Sequence, residues 1–348
     1  MPAASRRRAS QLPFVFSTSP ERSSLPIVTI AAVAIVGQYG FVEIRPFDAA
    51  DSSAAAELVR PLQPGILVTP AYLAHRERSE PERAQRRSWL ALEGGEILGF
   101  ATSAVKWDEP GSVGRFWIGV RPDRRERGIG AALYELAERH AGALGVQRVT
   151  VEVDDDQDGR RFVEARGFEP VSAELISSLD PRMADLGEFD DLMAETSAAG
   201  FELTTLQAMA RRRDDLAEFY EAAGAWPPGG GNRITAEDLW RFIFERPDLS
   251  WDGSFVILDE QGRLVSLASL VVDRANRRAE NDWTATLPDV RGRRLALLGK
   301  LATLRWARDA GIREIVTAND DDNVPMLTLN QRLGYRRLYA QVELARAL

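Results

Sequence analysis

The sequence predicts an α/β (α+β) protein built from two tandem copies of one domain, each a mixed, twisted β-sheet flanked by helices. Three observations predict it. A strand–turn–helix unit occurs twice: Val120–Gly130 (VRPDRRERGIG) runs into AALYELAERHAGALG, and Thr286–Ala296 (TLPDVRGRRLA) runs into ALLGKLATLRWARDAG. Gly145 follows Arg125 by twenty residues, and Gly311 follows Arg291 by twenty. Each unit is followed by a strand-like run and a short helix ending in glycine and an aromatic, Gly167-Phe168 and Gly334-Tyr335, 42 and 43 residues after the arginine. Two halves that keep such spacing over this length are a repeat.

The upstream elements correspond in order. FVEIRPF (41–47) alternates as an opening strand and precedes a helix near 53–61; FELTTLQ (201–207) precedes a helix near 211–223. Further helical stretches follow at 71–88 and 235–244, the second with Thr235 as N-cap. Hairpins then turn at Gly94-Gly95 and at Gln261-Gly262. A third strand leads into each repeated turn, GRFWIGVRP and DWTATLP. Each half therefore reads β-α-α-β-β-β-α-β-α-β, with helices packed on a sheet. The polar segment within 172–199 is helix-compatible and reads as a connector. The expected boundaries are a leader over 1–40, a first domain over 41–175, a linker over 176–200 and a second domain over 201–348. The leader carries Arg6-Arg7-Arg8 and an apolar run at 27–37, too short to cross a bilayer as a helix.

Composition removes several classes. The chain has 348 residues and a net charge of −8, against a general nucleic-acid binder and compatible with cationic substrates such as amines. It has no cysteine, which excludes disulfides, Cys-ligated zinc and thiol nucleophiles. Its two histidines, His75 and His140, are expected on solvated helix faces. No Ser-His-Asp hydrolase or metal centre has the material it needs. We expect no metal, no nucleic acid and no membrane partner, and a cytoplasmic location.

The repeated turn has a chemistry of its own. A strand ends, and a helix begins near Gly128 in the first copy and Leu295 in the second. The first amides of a helix have no partner inside it and lie at the positive end of its dipole. Glycine lets a ligand approach the backbone, and arginine adds charge-assisted bonds to phosphate oxygens. Arg125, Arg127, Gly128, Ile129 and Gly130 thus form a candidate diphosphate cradle, and Arg291, Arg293, Arg294, Leu295 and Ala296 form its counterpart. Neither the dinucleotide-binding glycine fingerprint nor a P-loop is present.

VRPDRRERGIGAAL resembles the acetyl-CoA-binding motif of the GCN5-related N-acetyltransferase superfamily, Arg/Gln-x-x-Gly-x-Gly/Ala, and FVEARGF resembles that superfamily's later Tyr-x-x-x-Gly-Phe helix. TATLPDVRGRRLALLGK and TANDDDNVPMLTLNQRLGY resemble the C-terminal halves of tandem actinobacterial acetyltransferases, including those like mycothiol synthase. The resemblance spans roughly residues 41–348. It implies acetyl transfer from acetyl-CoA to an amine within a ternary complex, the amine being a small molecule of unknown identity. It implies that the fourth and fifth strands of each domain splay, with the pantetheine arm bonded to backbone at Ile118 and Val120, and at Thr284 and Thr286. Asn323 fits the tandem group's pattern. Asp156 stands where the superfamily often has asparagine. Val163 and Asn330 stand where a tyrosine often protonates the departing thiolate; Tyr335 and Tyr339 are alternatives for that role. Arg294 takes the place of the first cradle glycine, where it would either crowd a diphosphate or bind it.

The chemistry needs a group to take the amine's proton. Glu280 and Asp282, just upstream of Thr284, are the candidates in the second domain. Glu152 is a weaker one in the first, so the second domain is the expected catalytic half. The rival is a noncatalytic acyl-CoA-binding protein whose sites have decayed. The two copies are expected to pack as a pseudo-dimer in a monomer, or to form a homodimer.

Overall fold

The computed structural model describes residues 33–37, 40–107, 112–154, 157–224 and 235–348. The first half supplies strands β1 (Val33–Gly37), β2 (Gly40–Pro46), β3 (Arg87–Glu93), β4 (Glu96–Val105), β5 (Val113–Val120), β6 (Arg148–Asp154) and β7 (Glu169–Leu179). Its helices are α1 (Ser52–Val59), α2 (Pro70–Ser79), α3 (Ile129–Ala143) and α4 (Gln157–Glu164). The second half supplies β8 (Glu202–Thr205), β9 (Phe255–Leu258), β10 (Leu264–Asp273), β11 (Arg278–Thr286), β12 (Glu314–Asp320) and β13 (Arg336–Ala347). Its helices are α5 (Phe189–Ala198), α6 (Arg213–Ala222), α7 (Ala236–Leu239), α8 (Leu295–Asp309) and α9 (Val324–Leu333). Thus the fold class predicted from the repeat is the one observed.

The strands form one sheet in the order β1-β2-β3-β4-β5-β6-β13-β7-β12-β11-β10-β9-β8. Only β5/β6 and β11/β12 are parallel; the other neighbours are antiparallel. The two halves exchange their last strands. β13 pairs with β6 of the first half along Gln341–Ala347, and β7 pairs with β12 of the second along Glu174–Leu179. The packing follows the exchange. Leu344 of β13, wholly buried, lies in the first half's core with Leu133 and Val149, and Leu179 of β7 lies in the second half's core with Ile315. The expected division at 175/176 therefore falls inside a strand, and the domains are not two consecutive blocks of chain. Part of the expected linker is α5, whose Phe189 and Leu192 are buried in the second core.

Other boundaries differ locally. The helix expected over 71–88 stops at Ser79, because Glu80 and Pro81 are extended. The helix expected over 235–244 keeps its Thr235 cap but relaxes after Leu239 into a π turn over Trp240–Phe244. Residues 33–37, counted with the leader, form the edge strand β1 against β2. Gly40, also counted with the leader, begins β2; residues 1–32, 38 and 39 lie outside the described residues, as does Asp156. No described helix is long and apolar enough to cross a membrane.

The second core encloses Lys300 of α8, which is 1% exposed. Its Nζ lies 5.4 Å from the Tyr335 ring centre, and burial pushes the ammonium down to about 7. In the unfolded chain the same group holds its proton up to its ordinary value of 10.5. Between those values the unfolded state binds more protons, so this residue makes stability rise with pH. Lys300→Met is expected to raise unfolding free energy at pH 7 by about 2–4 kcal/mol and to flatten that slope. Denaturant midpoints at pH 6.5 and pH 9 test this; an unchanged difference between the two pH values in the variant rejects it.

Candidate active site

Both parallel pairs come apart within a few residues. β5 and β6 are paired only from Val113/Arg148 to Phe116/Val151, and β11 and β12 only from Arg278/Glu314 to Glu280/Val316. Beyond these points each pair opens into a gap. Arg121 N–H bonds to Leu98 O and Leu287 N–H to Val265 O, so the alternating residues Ile118, Val120, Thr284 and Thr286 turn their backbone groups away from β4 and β10, toward the gaps.

A cradle closes the end of each gap. In the first, Arg125 Nε donates to Val120 O at 3.5 Å; in the second, Arg291 Nε donates to Thr286 O at 3.1 Å. The first intrahelical bonds are Ala132 N–H to Gly128 O and Leu298 N–H to Arg294 O. The amides of Ile129, Gly130 and Ala131, and of Leu295, Ala296 and Leu297, make no hydrogen bond within the described chain. Two residues in each cradle are left-handed: Glu126 and Gly128 (φ 62° and 83°), and Gly292 and Arg294 (φ 79° and 62°). The two loops share one backbone path but place a glycine at different left-handed positions along it, Gly128 at the second and Gly292 at the first. The Arg294 side chain leaves the cradle and pairs with Glu188 and with Glu195 at 3.4 Å, at the start of and on α5. Arg332 pairs with Glu188 as well. Arg293 sits 5.6 Å from the Phe201 ring centre. Arg127 is half-buried. A Cβ placed on Gly128 meets nothing within 4 Å, so the cradle is open.

Glu280 and Asp282 are brought together, though neither is a solvated strand end. β11 holds one more residue between Glu280 and Trp283 than β10 does between Ser269 and Val271, a β-bulge at Asn281–Asp282. Bulges re-aim side chains. This one places Glu280 on the same face as Trp283, which stacks on Tyr220 at 4.2 Å. Asp282 is half-buried and bound to Arg246 at 2.9 Å; Arg246 also holds Asp248 at 3.0 Å and lies 4.4 Å from the Tyr72 ring centre. Asp282 is thus committed to a cation. Glu280 accepts one hydrogen bond, from Leu67 N–H at 2.6 Å. Burial and the neighbouring Asp282 carboxylate push its pKa up to about 7, which suits a proton acceptor near neutrality.

The corresponding place in the first half is different. Glu280 pairs with Val316, five residues after Gly311; five residues after Gly145 stands Thr150, and it pairs with Arg115. Arg115 is held at 2.7 Å by the buried Glu80, which also binds Arg76 and Arg86. Glu152 is exposed, facing Glu343 across β13. The remaining candidates are placed as follows. Asn323 caps α9 through Met326 N–H. Val163 and Tyr335 are core residues, 6% exposed each, and Asn330 is 3% exposed with Nδ2 donating to Asn319 Oδ1 at 2.6 Å. The histidines are not solvated: His75 is 8% exposed, and His140 Nδ1 lies 3.0 Å from Ser103 Oγ with burial pushing its pKa down to about 4.

Several groups were not foreseen. Arg246, Asp248 and the Leu67 amide reach Glu280 from distant segments. Glu174 on β7 has its pKa raised to about 7 by burial and by Glu152, Asp320 and Glu343. The alternation of EPVSAELISSL was the available signal for the strand that carries Glu174.

The chain matches the Acetyltransferase (GNAT) family twice, over residues 55–168 and 215–335. It belongs to that family, which uses acetyl-CoA, and is an N-acetyltransferase with two tandem domains. Among curated proteins it is similar to a mycothiol acetyltransferase of Actinosynnema mirum, 26% identical over 86% of this chain and 97% of the relative. It is also similar to one of Rhodococcus erythropolis, 25% identical over 76% and 86%. In structure it is similar to a tandem GNAT protein from the clavulanic acid biosynthesis pathway, with a TM-score of 0.68 and 21% identity over 88% of this chain and 98% of that one. A GCN5-related N-acetyltransferase from Sphaerobacter thermophilus gives a TM-score of 0.61 at 17% identity, over 88% and 95%. The structural likenesses establish a shared fold.

Proposed function

We propose that the second half carries the chemistry, moving an acetyl group from acetyl-CoA to the amine of a small molecule by direct transfer in a ternary complex, in the cytoplasm. The observation that carries this reading is that β11 and β12 part immediately after Glu280, whereas the first half has a neutralised arginine at that place. The free amides of Leu295, Ala296 and Leu297, with Arg291 and Arg293 beside them, would hold the diphosphate. The backbone of Thr284 and Thr286 would hold the pantetheine, and an amide of the splayed strand would polarise the thioester carbonyl. Glu280 takes one proton from the ammonium of the acceptor. The freed nitrogen forms its bond to the carbonyl carbon as the carbon–sulfur bond breaks, and the second nitrogen proton returns to the thiolate. Asp282 and Arg246 set the field around Glu280. The name of the curated relatives makes a small molecule the first acceptor class to try.

The test is thiol release from acetyl-CoA with a panel of small amines. Release with at least one amine is expected. Saturable CoA binding without release from any would favour the noncatalytic acyl-CoA-binding reading instead.

The first cradle, built on the same backbone path, is proposed to bind acyl-CoA without catalysing. Gly128→Glu adds a charge facing the diphosphate and a side chain at a left-handed φ. It is expected to weaken CoA binding at that site tenfold or more, about 1.4 kcal/mol or above. Calorimetry resolving two sites checks this; unchanged affinity at both removes the first cradle from the account.

A further inference from the structure

The segment joining α1 to α2, residues 60–69, belongs to the first half in sequence and is built into the second. Leu67 is 2% exposed and packs in the second half's core. Arg278 Nη2 donates to Pro64 O at 2.6 Å, and Arg60 lies 3.9 Å from Asp273. Gly65 is pressed against the exchanged strands: a Cβ there would meet Ile176 Cγ2 at 2.7 Å and the Tyr339 hydroxyl closer still. At its other end Leu62, like Trp117 of β5, packs against a buried cluster of the first half. The segment therefore has one seat, and from it the Leu67 amide donates to Glu280 Oε2 at 2.6 Å. Among the described residues that amide is the sole hydrogen-bond donor to Glu280.

We infer that the 60–69 segment of the first half is a positioning element of the second half's active site, its Leu67 amide fixing the Glu280 carboxylate in the orientation in which it takes the acceptor's proton. This rests on the reading of Glu280 as the base. A carboxylate at the end of a three-torsion side chain needs a fixed partner to be held in a productive geometry, and a buried, charge-assisted bond from a locked backbone supplies one. The charged groups facing Glu280 are Asp282 on its own strand and Arg246 and Asp248 from the stretch before β9; Tyr72 and His75 of α2 stand near Arg246. None of the other three donates a hydrogen bond to it, so the orientation depends on the amide.

The test uses the full chain with an amine acceptor found by thiol release. Leu67→Pro deletes the donor, and Gly65→Ala lifts the segment off its seat. Both are expected to lower kcat tenfold or more, to leave KM for acetyl-CoA within about twofold, and to move the acid limb of the pH profile upward by about half a unit, because Glu280 loses a bond to its charged form. Adding Tyr339→Phe to Gly65→Ala makes room for the new methyl group and is expected to recover part of kcat. Near-ultraviolet circular dichroism establishes that each variant is folded. A fall in kcat with an unmoved acid limb, or wild-type kinetics in both variants, overturns the inference. Glu280→Gln in the same assay separates the two claims. If it retains turnover, the base assignment fails and the positioning role falls with it. If it loses turnover while the segment variants match wild type, only the positioning role fails.

Discussion

Glu280→Gln is expected to lower kcat/KM for acetyl transfer by about 10²–10⁴-fold while leaving acetyl-CoA affinity unchanged. The substitution keeps size and hydrogen bonding to Leu67 N–H and removes only the capacity to take a proton. The cradle amides of α8 are untouched by it, so a binding defect of similar size would mean that Glu280 has a different job. The wild-type rate should fall as pH drops below about 7, where burial and Asp282 leave Glu280 protonated. Asp282→Asn should act in the other sense on that midpoint. Removing the neighbouring negative charge eases ionisation of Glu280, so the acid limb should move to lower pH. A full loss of turnover in Asp282→Asn, with Glu280→Gln active, would exchange the roles of the two residues.

The second large effect is structural. A chain divided in the stretch between β7 and α5, near Asp185, should give two fragments that do not fold separately. The first would expose the unpaired edge of β6 and lack Leu344 from its core, together with the Lys106–Glu343 and Arg346–Glu138 ion pairs. The second would lose β7 from β12 and with it Leu179. Open edges of that length favour aggregation. Produced together, the fragments should reassemble and regain acetyl transfer. Size-exclusion chromatography and thermal melts decide it: cooperative, independent unfolding of either isolated fragment would show that the exchanged strands are dispensable.

The repeat and both strand–turn–helix loops were legible because they depend on local chemistry, a turn with its Pro-Asp, arginine and glycine at fixed spacing, whereas the strand splay came only from the family resemblance. The strand exchange was not. β7 and β13 occupy equivalent places in the repeat, so either could complete either sheet, and only three-dimensional packing decides. Glu280 illustrates a subtler limit. It lies eleven residues before Arg291, whereas Arg115 lies ten before Arg125. The bulge that absorbs the extra residue leaves no mark in the hydrophobic pattern. His75 was misjudged because its neighbours in AHRERSE are polar, and the surface that buries it includes the distant Phe242 stretch. Arg246 and the Leu67 amide reach Glu280 from 34 and 213 residues away, beyond any reading of spacing.

The place of β13 has a consequence for how the molecule is made. Translation delivers the first half's other strands long before the strand that closes them, since β6 ends at Asp154 and its partner begins at Arg336. Until residue 336 has been made, the edge of β6 that β13 covers in the folded protein is without that partner. Pairings so distant along the chain form slowly, and the interval is one in which chaperones or aggregation compete for the same edge.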